Sequence, residues 1–143
     1  MTARAILQAK GTDVVTANPE TSLGEVIRVL GRRGIGAVVV QARDGSVLGV
    51  VSERDVVLAI TEHGAAALDL PAYEVMQAPV TCVSSDPLEQ LLALMTNRRT
   101  RHLPVVEEGR LRGLISIGDV VKHRMQEVET ETSVLREYIV YAG

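Results

Sequence analysis

Apolar positions along the chain change their spacing several times, and each change marks an element. The run Ala-Arg-Ala-Ile-Leu-Gln-Ala at residues 3–9 has the length of one or two helical turns, and Lys10-Gly11 closes it with a glycine stop. Val14-Val15-Thr16 reads as a short strand and Asn18-Pro19 as a turn. Ser22 then caps a helix whose Leu23, Val26, Ile27 and Leu30 recur at helical spacing. Gly34 and Gly36 end it. Ala37-Val38-Val39-Val40 is an unbroken apolar run of strand length, and Arg43-Asp44-Gly45-Ser46 has hairpin chemistry. Val47-Leu48-Gly49-Val50-Val51 forms the returning arm. A helix opening at Ser52 is expected to carry Val56, Val57 and Ile60 inward.

The same order of elements then returns. Val80-Thr81 aligns with Val15-Thr16, Leu88 with Leu23, Leu92 with Ile27, Met95 with Leu30 and Val105 with Val40, all at a shift of 65 residues. Beyond the hairpin, Gly113, Ser116 and Asp119 meet Gly49, Ser52 and Asp55 at a shift of 64. One residue deleted in a surface turn accounts for the difference. Each unit is therefore β-α-β-β-α. The fold class is α/β (α+β), two tandem units burying sheet faces and helices against one another about a pseudo-twofold axis.

The units are assigned to residues 10–62 and 73–124. The connector from Glu62 to Pro71 is too short and too apolar for a flexible linker. Tyr73-Glu74-Val75-Met76 reads as a short helix introducing the second unit, as Ile6-Leu7 introduces the first. The last helix starts at Ser116 and runs through Val120, Val121, Met125, Val128, Leu135 and Ile139, so residues 125–143 form a helical extension. With no counterpart in the first unit, this tail either packs on a second copy or folds back on its own domain.

Composition narrows the function. Of 143 residues 46% are hydrophobic, with no Phe or Trp, so the core is aliphatic. A lone cysteine, Cys82, leaves no internal disulfide, and no N-terminal apolar run resembles a signal peptide or membrane span. A cytoplasmic protein without membrane contact is expected. The net charge of −3 and only three tyrosines argue against nucleic-acid binding. The one dense basic cluster, Arg98-Arg99-Thr100-Arg101-His102, doubles as an ordinary solvated helix end.

Chemistry concentrates at the duplicated stretch Gly49-Val50-Val51-Ser52-Glu53-Arg54-Asp55 and Gly113-Leu114-Ile115-Ser116-Ile117-Gly118-Asp119. Each is a buried strand, a Ser at a helix start, and an Asp in the first turn. Such a junction offers backbone N–H groups and a hydroxyl suited to phosphate, and a carboxylate suited to a ribose diol. A single Ser-x-x-Asp is more often a capping box, but two in register point to a ligand role as well. Catalysis finds little support. His63, His102 and His123 lie on separate elements without metal spacing, and Cys82 aligns with Ala17 as a small packed residue. No metal is expected and the chain reads as a non-enzyme; a nucleotide hydrolase is disfavoured for want of a metal-binding carboxylate cluster.

These two junctions, with the Arg-His-Leu-Pro-Val-Val strand before the second, resemble a tandem pair of cystathionine β-synthase (CBS) domains, a Bateman module. The likeness runs from about Lys10 to Arg124 and is greatest to small stand-alone bacterial pairs. It implies a regulatory fold binding AMP, ATP, NAD(H) or S-adenosylmethionine in two clefts between the repeats, usually in a dimer. By that resemblance Asp55 and Asp119 hold ribose hydroxyls, while Ser52, Ser116 and the following residues Glu53, Arg54, Ile117 and Gly118 approach phosphate. Thr16 and Thr81 sit beside adenine and sugar, and Arg101, His102, Leu103 and Pro104 flank the second cleft. For His102, ligand contact and structural hydrogen bonding both stay open.

The repeats are not equal. Arg99, Thr100, Arg101, His102 and Pro104 align with Gly34, Ile35, Gly36, Ala37 and Val39, and Ile117-Gly118 replaces Glu53-Arg54, losing a guanidinium that could fork onto phosphate. One nucleotide, two different ones or two alike are all open. The expected function is a homodimeric, non-catalytic sensor reporting adenine-nucleotide or NAD status to an unidentified regulated protein. The alternative is a constitutive dimerisation scaffold without a physiological ligand.

Overall fold

A computed structural model of the chain describes residues 1–142. In order, the elements are α1 (Ala3–Lys10), β1 (Thr16–Ala17), α2 (Leu23–Arg33), β2 (Ala37–Gln41), β3 (Val47–Ser52) and α3 (Glu53–His63). A 3-10 turn over Gly64–Asp69 leads to α4 (Ala72–Val75), α5 (Leu88–Arg98), β4 (His102–Glu107), β5 (Arg110–Ser116) and α6 (Ile117–Ala142). β1 runs parallel to β2, β2 pairs antiparallel with β3, and β4 pairs antiparallel with β5.

The two hairpins are built in one register. Val39 faces Val50 and Ala37 faces Ser52; Pro104 faces Leu114 and His102 faces Ser116. Each ladder shifts register after the same aligned residue, Val40 or Val105. The turn from Gln41 to Val47 holds one residue more than that from Val106 to Leu111, which is where the change from 65 to 64 falls.

The expected strand at Val80-Thr81 contracts to a single bridge. Cys82 N donates to Pro104 O at 3.0 Å and Val106 N donates to Cys82 O at 3.0 Å. In the first unit the ladder begins one step earlier, with Val39 N donating to Val15 O at 3.2 Å. The aligned residue of the second unit is Pro104, which has no N–H to give.

Two aliphatic cores result. Leu23, Val26 and Leu30 of α2 pack with Val38, Val40 and Val51, and Leu88, Leu91 and Met95 of α5 pack with Leu103, Val105 and Ile115. α2 and α5 each end in a left-handed residue at the same aligned place, Gly34 (φ 61°) and Arg99 (φ 50°). The arginine adopts there a conformation that suits glycine better.

The short helices pack crosswise, correcting the reading that each introduces its own unit. Ala3, Ile6 and Leu7 of α1 are buried in the core of the second unit, and Ala72 and Val75 of α4 in the core of the first. The glycines of the repeated motif make room for this exchange. A Cβ on Gly113 would lie 2.5 Å from Leu7 Cδ2, and one on Gly49 would lie 2.7 Å from Gln77 O.

α3 also differs from expectation. Asp55 and Ala59 are buried and Val56 half-buried, whereas Val57 (62% exposed), Leu58 and Ile60 face solvent. Drawing Asp55 inward at the helix start turns the Asp55–Ala59 face toward the body and leaves the others outside. α6 has the predicted start and length. Its 26 residues span about 39 Å. It does not fold back: every residue from Val128 to Tyr141 is exposed.

Candidate functional site

Each Ser-x-x-Asp junction folds as a reciprocal cap. Ser52 N and Ser52 Oγ donate to Asp55 Oδ2 at 2.8 and 2.9 Å, and Asp55 N donates to Ser52 Oγ at 3.4 Å. Ser116 N donates to Asp119 Oδ2 at 2.9 Å and Asp119 N to Ser116 Oγ at 3.2 Å. The capping role is thus real at both sites, and a ligand has what the caps leave over. In each carboxylate these bonds fall on Oδ2; among the described residues Oδ1 takes none.

The amides of the first turn are mostly spent. Glu53 N donates to Gly36 O at 3.0 Å and Ile117 N to Arg101 O at 2.9 Å, again at aligned positions. With the Asp amides on the Ser hydroxyls, Arg54 N and Gly118 N are the first-turn donors left without an acceptor among the described residues. The expectation of several helix-start amides facing phosphate therefore narrows to one per junction. Gly118 is exposed and a Cβ there would meet nothing closer than Ser116 Oγ at 3.6 Å, so a ligand can approach that amide closely.

The remaining sequence-derived residues separate into those at the surface and those in the core. Thr16 and Thr81 are exposed, at the head of β1 and just before the Cys82 bridge, and Glu53, Arg54 and Arg101 are exposed beside the junctions. Leu103 and Pro104 are both buried, Leu103 completely, so their side chains lie in the interior of the second unit.

His102 reaches from the second unit to the first. A Cβ on Gly36 would lie 3.3 Å from His102 Nε2 and 3.4 Å from Glu53 Oε1, so imidazole and carboxylate crowd one glycine at the boundary between units. Burial pushes the His102 pKa down, against the Glu53 carboxylate that favours the proton; Lys10 and Arg101 push it further down, and Asp119 opposes them. Its ring is therefore biased toward the neutral form.

Lys10 is a residue at this site that sequence reasoning missed. Its Nζ lies 2.6 Å from Asp119 Oδ2 and donates to Leu114 O at 2.9 Å. Burial works to raise the Asp119 carboxyl, but the Lys10 hydrogen bond and charge and the Ser116 amide outweigh it and hold the group below its ordinary range. At the first junction the aligned carbonyl, Val50 O, instead accepts from the Gln77 backbone N–H at 3.0 Å. No ion pair reaches Asp55 among the described residues. A separation of 109 residues hides the Lys10–Asp119 contact from any local pattern.

Other chemistry stays bland. Burial, with a contribution from Asp86, pushes the Cys82 thiol up to about 12, so it is no nucleophile near neutral pH. His123 is buried with Nδ1 3.0 Å from Asp119 O, a helix-internal contact. Among the described residues no His, Cys, Asp and Glu cluster could hold a metal, and no helix is long and apolar enough to cross a membrane. Two open grooves, of about 680 and 400 Å³, lie beside Met1, Arg124 and Thr130 and beside Arg4, Ser84 and Arg112, away from both junctions.

Known proteins share this fold. The CBS domain family model matches residues 8–62 and again 72–126. A CBS-domain containing protein from Agrobacterium tumefaciens is 47% identical, with a TM-score of 0.83 over 86% of this chain and 92% of that one. A CBS domain protein from Pyrobaculum aerophilum, solved in complex with AMP, is 29% identical, with a TM-score of 0.79 over 92% of this chain and 99% of that one. A CBS domain-containing protein of Bacillus subtilis is 30% identical over 80% of this chain and 81% of its own. Two archaeal relatives are longer, and the chain spans 65% and 41% of their lengths. With two tandem matches covering most of its length and a fold shared with these structures, the chain belongs to the CBS domain family.

Proposed function

We propose that the protein is a non-catalytic sensor that binds an adenine nucleotide (AMP, ATP or NAD(H)) at the Ser-x-x-Asp junctions and reports its level to a regulated protein. The observation that carries this reading is the pair of aligned junctions, each keeping an unspent carboxylate oxygen and one unspent first-turn amide after capping. A carboxylate oxygen suits a ribose hydroxyl and the amide suits a phosphate oxygen. The AMP complex of the Pyrobaculum aerophilum relative adds weight to adenylate as the ligand class.

The sensor is read as a cytoplasmic homodimer. Val57 of α3 and Val121 of α6 occupy aligned positions and both are exposed, with Leu58, Ile60, Met125 and Val128 beside them. Apolar helix faces placed symmetrically on the two units suit closed twofold association. The scaffold alternative shares this surface and differs only in having no ligand.

Thermal melting of protein freed of carried-over ligand separates the two readings. At a concentration of about one hundred times the dissociation constant, the right nucleotide adds roughly 2.7 kcal/mol. The sensor predicts a raised melting temperature with at least one of AMP, ATP, NAD and NADH. It also predicts weaker binding in Asp55→Ala and Asp119→Ala, both still folded. A flat melting temperature across all four, and across S-adenosylmethionine, leaves the scaffold as the account.

A further inference from the structure

We infer that Lys10 is a specificity-determining residue of the second junction, an internal counter-ion that makes it favour phosphorylated over unphosphorylated nucleosides. The inference rests on the nucleotide-binding reading above and goes beyond it by making the two junctions unequal through a residue outside both motifs.

The argument starts from what Asp119 already holds. Its Oδ2 receives the Ser116 amide at 2.9 Å and the Lys10 ammonium at 2.6 Å, and the same ammonium donates to Leu114 O at 2.9 Å. The open Oδ1 can take one ribose hydroxyl, but a diol that engages both carboxylate oxygens has to compete with the ammonium for Oδ2. A neutral nucleoside offers the displaced ammonium no anion in return, so the energy of the Lys10–Asp119 pair is lost on binding. A nucleotide brings its own anion. The lysine stem is long and flexible, and Gly118 leaves its amide open nearby, so the ammonium can pass from the carboxylate to a phosphate seated at that amide. Charge is then paired both before and after binding.

The first junction supplies the contrast within the same molecule. There the carbonyl aligned with Leu114 is satisfied by a backbone amide, Gln77 N on Val50 O at 3.0 Å, and no cation lies on Asp55 among the described residues. The lysine arrives at the second junction only because α1 packs across onto that unit, with Leu7 against Gly113. The sequence change from Glu53-Arg54 to Ile117-Gly118 removes a guanidinium from the second junction, and Lys10 returns a cation from elsewhere in the chain.

Titration calorimetry with AMP and with adenosine, on the wild type, Lys10→Met and Lys10→Arg, tests this. The wild type is expected to prefer AMP at one class of site. Lys10→Met should bind adenosine more tightly and AMP more weakly, shrinking the AMP-to-adenosine affinity ratio about tenfold or more, while Lys10→Arg keeps the preference. A structural role for Lys10 would weaken both ligands in proportion and leave that ratio unmoved. If AMP binds and the ratio is the same in wild type and Lys10→Met, the inference is overturned and the nucleotide reading stands. If neither AMP nor adenosine binds the wild type, this inference falls, and the nucleotide reading is then decided by the melting series with ATP, NAD and NADH. Should Lys10→Met fail to fold, Lys10→Gln supplies the neutral variant, and an unchanged ratio there is equally fatal.

Discussion

At the scale of single residues, His102 is a point where the two units touch. It sits on the second unit against Gly36 and Glu53 of the first, with Lys10, Arg101 and Asp119 as its charged neighbours. Burial depresses its pKa below the ordinary 6.5, so in the window between the folded pKa and 6.5 the unfolded chain binds the proton and the folded chain does not. Stability is then present above that window and is lost as pH falls through it. His102→Asn should flatten this part of the profile, read as denaturation midpoints between about pH 8 and about pH 5. An equally steep decline in the variant would assign the effect to other groups. Below that range Asp119, held low by its partners despite burial, adds a second acid-side loss.

At the scale of elements, the crosswise packing of α1 and α4 explains why the repeated motif begins with glycine. The two glycines do not carry equal constraint. At Gly49 the obstacle to a Cβ is Gln77 O, a backbone atom held by paired hydrogen bonds with Val50, whereas at Gly113 it is the end of the Leu7 side chain, which can turn away. Gly113→Ala is expected to cost about 1–3 kcal/mol, the usual range for overpacking, and Gly49→Ala more than Gly113→Ala. Chemical denaturation orders the pair. A larger loss for Gly113→Ala would mean that α1 is held more rigidly on the second unit than α4 is on the first.

For the whole molecule, the apolar residues left outside define the association expected of it. α3 and α6 present Val57 and Val121 at aligned positions, and α6 goes on to expose Leu135, Tyr138 (71%) and Ile139. Burying the α3 and α6 faces in a twofold interface removes that surface from water. Light scattering at micromolar concentration should give a dimer mass for the wild type and a monomer mass for Val57→Glu/Val121→Glu. A monomeric wild type would sink the dimer, and a dimeric double variant would move the interface to the exposed end of α6.

The amino-acid order by itself determined the repeat, the first hairpin and both Ser-x-x-Asp junctions, because these depend on spacing of apolar residues, turn chemistry and capping over short stretches. The shift of 65 before the hairpin and 64 after it was legible without coordinates, and the ladders reproduce it. Only the tertiary structure decided which unit each short helix joins, since Ala3, Ile6 and Leu7 have the same pattern whichever core receives them. It also decided which face of α3 turns inward, where capping by Asp55 overrode the apolar count of Val57 and Ile60. The missing ladder step opposite Pro104 required knowing which N–H the partner strand needs. Lys10 was hidden for the same reason as the exchanged helix: its charge is placed by the packing of Leu7 on Gly113, and an ion pair spanning 109 residues leaves no mark on the sequence near either partner.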